Sequence, residues 1–227
     1  MLRCHRLHGI LHRRARVTAA GRGDRRRRLN TTAGGKPSDA PGEGAATGPE
    51  DTSAELGASQ EEAREEVAEL LERFDAALTA LYANPLAAGD DEHPLSVKWL
   101  EVVVGGSQLD RQVRGRILAS ATRDRMRIVP DAHGTSFANV AIGLNQEPDG
   151  SLTWTNCGYA PGVGVDLGTG QVLDDNRTST RGRGRAVRGP DGRLSISELW
   201  DDETVLLDPG EPDPCITLAD RPAGGRP

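Results

Sequence analysis

Aromatic residues and long apolar runs are both scarce in this chain of 227 residues. Aromatic side chains make up 3% of it and the hydrophobic residues together 36%, whereas 28 glycines and 14 prolines are present. The apolar share is low for a globular protein, so part of the chain is expected to lie outside any packed core, and the length suits one domain with tails. Because no run of 18 apolar residues occurs, we predict no transmembrane segment, and no export signal is visible in the sequence.

Basic and acidic residues are unevenly distributed. Residues 1–36 carry eleven Lys or Arg against one Asp, whereas the remaining 191 residues carry 17 basic and 33 acidic groups. An acidic body repels a phosphate backbone, so we predict that the folded domain does not bind nucleic acid. The basic arm has two interpretations. It is either a tether that binds nucleic acid or an anionic membrane, or it has no such role and is a solvated tail or sequence upstream of the true start. Its lack of aromatic or helical patterning favours the tail.

Composition divides the chain into three parts. Residues 1–57 are rich in Arg and then in Gly, Ala and Pro, and we predict that they are disordered because they bury too little apolar area to offset chain entropy. Residues 58–208 are predicted to fold, and residues 209–227 form a tail rich in Pro and Gly. Residues 1–57 include four side chains of the kinds that bind metal ions, namely Cys4, His5, His8 and His12. Nothing there orders four ligands on a frame, so no metal or cofactor is predicted.

The clearest local prediction is a long first helix. Ser59 and Glu62 have the spacing of a capping box, which predicts that the helix begins at Ser59. Apolar residues then recur at steps of three and four and form one stripe: Val67, Leu70, Leu71, Phe74, Leu78 and Leu81. An Asn-Pro step at Pro85 ends the helix. Two shorter helices are predicted to begin near Pro94 and Ser107.

After Arg123 the apolar period changes from about 3.6 to about 2, which indicates strands. Val140, Ile142 and Leu144 alternate and are predicted to share one face of a strand, and Asp-Gly turns at Gly150 and Gly192 predict hairpins. The predicted fold is therefore α+β. It has a long N-terminal helix and two short helices, which pack on one face of a curved antiparallel sheet of about four to six strands.

These features, taken in order, resemble the nuclear transport factor 2-like domains of actinobacterial exported proteins, many of which are lipoproteins of unassigned function. The residues that carry the resemblance are Val67 to Leu81, Asn84-Pro85, Asp90 to Leu95, the strand ending near Cys157, Thr169 to Asp174 and Gly189 to Ile196. The resemblance implies that the long helix lies across a cone-shaped, cystatin-like sheet. Leu194 replaces the aromatic residue usual in the family, and the family's lipid-attachment signal is missing.

The resemblance also implies a disulfide, because a Cys in the family's middle strand is often matched by one near the C-terminus. Here these are Cys157 and Cys215, and Cys4 is expected to stay unpaired. Such a bridge stabilises by about 4 kcal/mol under the loop-entropy relation and fits an oxidising compartment. The alternative is two unrelated thiols. The expected location is outside the cytoplasm or in the cell envelope.

Four residues are candidates for acid-base chemistry, because enzymes related to ketosteroid isomerase and polyketide cyclases place a carboxylate, or a His with a Tyr, in an apolar pocket. They are Asp110, Asp124, His133 and Tyr159. Each also has a structural explanation: Asp110 suits a helix cap, Asp124 a helix end and His133 a turn. No residue is therefore assigned as catalytic.

We expect a non-enzymatic binding or accessory module for an unknown protein or a small apolar ligand. The alternative is a small-molecule isomerase or cyclase with its acid-base residue inside the cone. The sequence leaves open whether the domain forms a homodimer.

Overall fold

The computed structural model describes residues 51–208 and 211–215, which belong to one compact unit. The predicted disorder of residues 1–50, most of the predicted C-terminal tail and the predictions for Cys4 and its neighbouring histidines lie outside the described residues. Over the described part of the chain, no helix combines the length and apolarity needed to cross a membrane.

Among the described residues, three α-helices and one short 3-10 helix come before the strands. They are α1 (Asp51–Ala83), the 3-10 helix (Pro85–Gly89), α2 (Pro94–Leu100) and α3 (Gln108–Arg123). The predicted end of the first helix and the starts of the two shorter ones are confirmed. Ser107 caps α3, and its hydroxyl oxygen accepts a hydrogen bond of 3.1 Å from the amide of Asp110.

The predicted start of the first helix is wrong. The helix α1 begins at Asp51, so Ser59 lies inside it rather than at its N-cap, and residues 51–57 are helical instead of disordered. The residues before Ser59 include Ala, Glu and Leu, which are strong helix formers. Because extending an existing helix costs less than nucleating one, these preferences outweigh the local capping signal.

Seven strands of the described residues form two antiparallel sheets. The strands are β1 (Met126–Val129), β2 (Ala138–Gln146), β3 (Leu152–Ala160), β4 (Val163–Asp166), β5 (Val172–Asp174), β6 (Arg177–Arg188) and β7 (Leu194–Leu207). One sheet has the order β1-β4-β5 and the other β2-β3-β6-β7. The α+β class is confirmed. We expected one sheet of four to six strands, and the described residues form a three-stranded sheet and a four-stranded sheet instead. Pro161 separates β3 from β4, because proline cannot donate to a strand ladder.

A β-bulge in β2 corrects the predicted strand face. The register with β3 shifts between Ala141 and Gly143, which leaves Ile142 as the extra residue. Val140 lies opposite Cys157 and Leu144 lies opposite Trp154, and these two partners face opposite sides of the sheet. Val140 and Leu144 therefore do not share a face, because the bulge reverses the alternation between them.

The core lies between the helices and the four-stranded sheet. The predicted stripe of α1 is buried throughout, and the Phe74 and Trp99 rings lie 5.3 Å apart. Trp154 from β3 is buried over Gly184 of β6, where an added Cβ atom would lie 2.1 Å from the ring. The glycine is therefore needed at this position, because its missing side chain makes the space that the indole fills.

Candidate functional site

The predicted disulfide is confirmed by the positions of Cys157 and Cys215. Their sulfurs lie 2.10 Å apart and their Cα atoms 5.6 Å apart, and both residues are fully buried. The Arg177 guanidinium donates to the carbonyl oxygen of Asp208 at 2.6 Å and to that of Glu211 at 3.2 Å. The chain after β7 is thus fastened to β3 by the disulfide and to β6 by Arg177.

Asp110 connects two helices. Its carboxylate accepts a hydrogen bond of 2.8 Å from the Trp99 indole nitrogen and another of 2.8 Å from the amide of Gly106. Asp110 is 5% exposed. These bonds join α2 to the start of α3 and use both carboxylate oxygens, so the arrangement gives Asp110 a structural role.

The other three predicted candidates lie on separate elements. Asp124 follows the last turn of α3, about 20 Å along the helix from Asp110, and pairs with Arg123. His133 is exposed in a turn, where its amide donates to Asp131. Tyr159 lies in β3, with its hydroxyl 3.5 Å from Arg177. The fold does not gather these side chains into one site.

A chain of hydrogen bonds that the sequence analysis missed ends at Asp75 of α1. The Trp154 indole donates to the Asn156 side-chain oxygen at 3.3 Å, and the Asn156 amide nitrogen donates to the Asn139 side-chain oxygen at 2.9 Å. Asn139 then donates to the two carboxylate oxygens of Asp75, from its backbone nitrogen at 2.7 Å and its side-chain nitrogen at 2.5 Å. Every link donates toward the carboxylate, so Asp75 is the acceptor that completes the chain.

Asp75 is partly buried, and its ionisation is perturbed. Burial raises the pKa of its carboxyl to about 6 from the ordinary value of 3.8, and the two hydrogen bonds from Asn139 act in the opposite direction. Desolvation is therefore the stronger effect. The signal in the sequence was an acidic residue one helical turn after Leu71, on the flank of an apolar stripe.

A groove of about 290 Å³ lies between α1 and the edge strand β2. Its lining consists of Arg64, Val67, Ala68 and Leu71 from α1 and Asn139 to Leu144 from β2. Most of these residues are apolar, and Asn139 joins the groove to Asp75. The groove is therefore mainly apolar, and Arg64 and Asn139 are its polar members.

The described residues contain no cluster of three or more His, Cys, Asp or Glu side chains that could hold a metal ion. No family model, no curated protein and no solved structure matches this chain.

Proposed function

We propose that the domain is a non-enzymatic binding module of the nuclear transport factor 2-like type, and that its ligand lies in the groove between α1 and β2. The observation that carries the proposal is the position of this apolar groove along the edge of the sheet, with Asn139, the partner of Asp75, at one end. Long helices packed on an antiparallel sheet support the family, and the polar end of the groove supports recognition of an oriented ligand rather than unspecific apolar contact.

We also place the protein outside the cytoplasm. A buried disulfide between Cys157 and Cys215 supports this location, because disulfides persist in oxidising compartments and are rare where thiols are kept reduced.

The groove can be tested with a neutral apolar dye, N-phenyl-1-naphthylamine, whose fluorescence rises in apolar surroundings. Ala68→Trp places an indole where Ala68 lines the groove, whereas Ala76→Trp places one at an exposed position of the same helix outside it. We expect the first variant to lose dye binding and the second to bind like the wild type. Equal binding by all three proteins, with unchanged far-ultraviolet circular dichroism, would refute the groove as the ligand site.

A second candidate function is that of a cofactor-independent isomerase or cyclase, and the raised pKa of Asp75 favours it. A carboxyl with a pKa of about 6 is near the range in which a general base works at neutral pH. Asp75 would replace the four residues named from the sequence as the acid-base group, because its partner Asn139 lines the groove. To act as a base, its carboxylate would have to release one of the two hydrogen bonds that it accepts from Asn139.

The two candidates differ in turnover. A β,γ-unsaturated ketone such as a 3-oxo-Δ5 steroid is a suitable probe, since its isomerisation needs no cofactor, only a base that moves one proton and a hydrogen-bond donor to the enolate oxygen in an apolar site. Turnover that falls below about pH 6 and is lost in Asp75→Asn would establish the enzyme. No turnover, together with dye binding that is retained in Asp75→Asn, is the result expected for a binding module.

A further inference from the structure

The strand β2 is an open edge of the four-stranded sheet and pairs only with β3. In an antiparallel strand, the N–H and C=O groups of one residue point to the same side, and successive residues alternate. The Asn139 amide points away from β3, because it donates to Asp75 at 2.7 Å. Ala141 therefore also points outward.

The direction of the backbone beyond the bulge follows from the hairpin. The amide of Glu147 donates to the carbonyl oxygen of Ser151 at 2.8 Å, so Glu147 and Asn145 point toward β3. Leu144 then points outward. Within the described part of the chain, no side chain or loop accepts a hydrogen bond from the amides of Ala141 or Leu144. Both residues line the groove, so it presents unpaired backbone groups as well as apolar side chains.

The two edge strands of this sheet differ in charge, and β7 is partly covered at its start, where Ile196 forms a parallel bridge with Val103. The strand β7 carries four acidic residues, Glu198, Asp201, Asp202 and Glu203, which discourage pairing with another strand. The strand β2 carries no charged residue and no proline from Ala138 to Gln146. Charges, prolines and bulges all discourage pairing at an edge strand, and β2 has only the bulge at Ile142, which lies within the groove. The edge that lacks charge is therefore the one that lies beside an apolar groove.

Building on the proposed function, we propose that the ligand is an extended peptide segment of another protein, which adds a strand to the open edge of β2. The outward N–H and C=O groups of an edge strand can form hydrogen bonds with the main chain of another extended segment. Alternate side chains of that peptide would point toward α1, whose exposed part of the lining is Ala68 and the stem of Arg64, so every second residue should be apolar. The uncharged edge favours an uncharged peptide.

A peptide fits this edge better than a second copy of the chain. The exposed surface of α1 beside the groove carries Glu61, Glu65 and Glu72, and Arg64 offsets only the charge of Glu61, with which it pairs at 3.1 Å. Pairing of two β2 strands across a twofold axis would bring two such acidic helices together, and the repulsion would oppose the dimer.

The test uses the full chain and a phage-displayed library of random peptides. Recovered peptides are synthesised, and their Kd values are measured by fluorescence anisotropy against the wild type, Ala68→Trp and Ala76→Trp. We expect uncharged peptides with alternating apolar residues, whose binding is lost in the first variant and kept in the second. Amide hydrogen exchange at Ala141 and Leu144 should slow when the peptide binds.

An N-methyl scan of a recovered peptide then reads the pairing without altering the protein. Each methyl removes one backbone donor, so methylation at the positions that face β2 should weaken binding by about tenfold, and methylation between them should have little effect.

The outcomes separate this proposal from the proposed function. Peptides that need the groove but show no alternating methyl pattern would overturn strand addition and leave the groove as the binding site. Failure to recover any peptide, while the dye still binds, would also overturn strand addition and leave the groove as the binding site. Peptides that bind Ala68→Trp and the wild type equally would overturn both. A dimer of the wild type that Ala68→Trp dissociates would make a second copy the occupant and overturn the peptide.

Discussion

Replacing Asp75 by Asn should change how the stability of the domain depends on pH. The substitution keeps the shape of the side chain and removes its charge. In the wild type, the carboxylate accepts two hydrogen bonds from Asn139. An asparagine has one acceptor oxygen, so its amide nitrogen would face one of these donors. The variant should therefore lose one hydrogen bond, and it cannot titrate.

The magnitude follows from the raised pKa. Because the carboxyl has a pKa of about 6 in the folded chain against 3.8 ordinarily, the folded state holds this proton more tightly than the unfolded state. Its contribution to stability is fully present below about pH 4 and is lost as the pH rises through about 6. A shift of about two units corresponds to about 3 kcal/mol, so wild-type stability minus that of Asp75→Asn should fall by about this amount from about pH 3 to pH 7.

Urea unfolding at a series of pH values measures this difference, in which the other titrating groups largely cancel. Asp149 provides a control of opposite sign, since hydrogen bonds from Ser151 lower the pKa of its carboxyl. The stability that the Asp149 carboxylate contributes should be lost as the pH falls, so wild-type stability minus that of Asp149→Asn should decrease toward acid pH. Parallel stability curves for the wild type and Asp75→Asn across the pH range would refute the buried, destabilised carboxylate.

Three further predictions follow from packing and capping. Cys215→Ser should destabilise the domain by about 4 kcal/mol, and reducing agent should lower the Tm of the wild type but not of the variant, as followed by circular dichroism. Gly184→Ala should cost about 1–3 kcal/mol in urea unfolding, because a Cβ atom there meets an indole at 2.1 Å, whereas Gly143→Ala enters open space and should unfold near the wild-type midpoint. Ser107→Ala should lower the free energy of unfolding by about 1 kcal/mol, because it removes the N-cap of α3. Ser59→Ala should lower it by less than about 0.5 kcal/mol, because Ser59 lies inside a helix. Equal urea midpoints for these two variants would contradict the assigned helix starts.

Local patterns determined the class and order of the elements. The stripe from Val67 to Leu81 predicted a helix whose apolar face is buried, and the Asp-Gly turns predicted hairpins that form. Periodicity succeeds here because a helix or strand must bury one face, which leaves its period in the sequence. It failed at Ile142, where one extra residue shifted the phase, and at Ser59, where neighbouring helix formers extended the helix past its cap.

The tertiary structure alone determined the candidate site. Asp75 and Asn139 are 64 residues apart, and nothing near either one indicates that their side chains bond across α1 and β2. The pairing of Cys157 with Cys215 likewise came from a family resemblance, not from spacing. Burial and hydrogen bonding set the pKa of Asp75, and both depend on the residues that packing brings around the carboxyl. A sequence records what each segment prefers by itself, whereas a groove and a perturbed carboxyl arise only when distant segments are packed together.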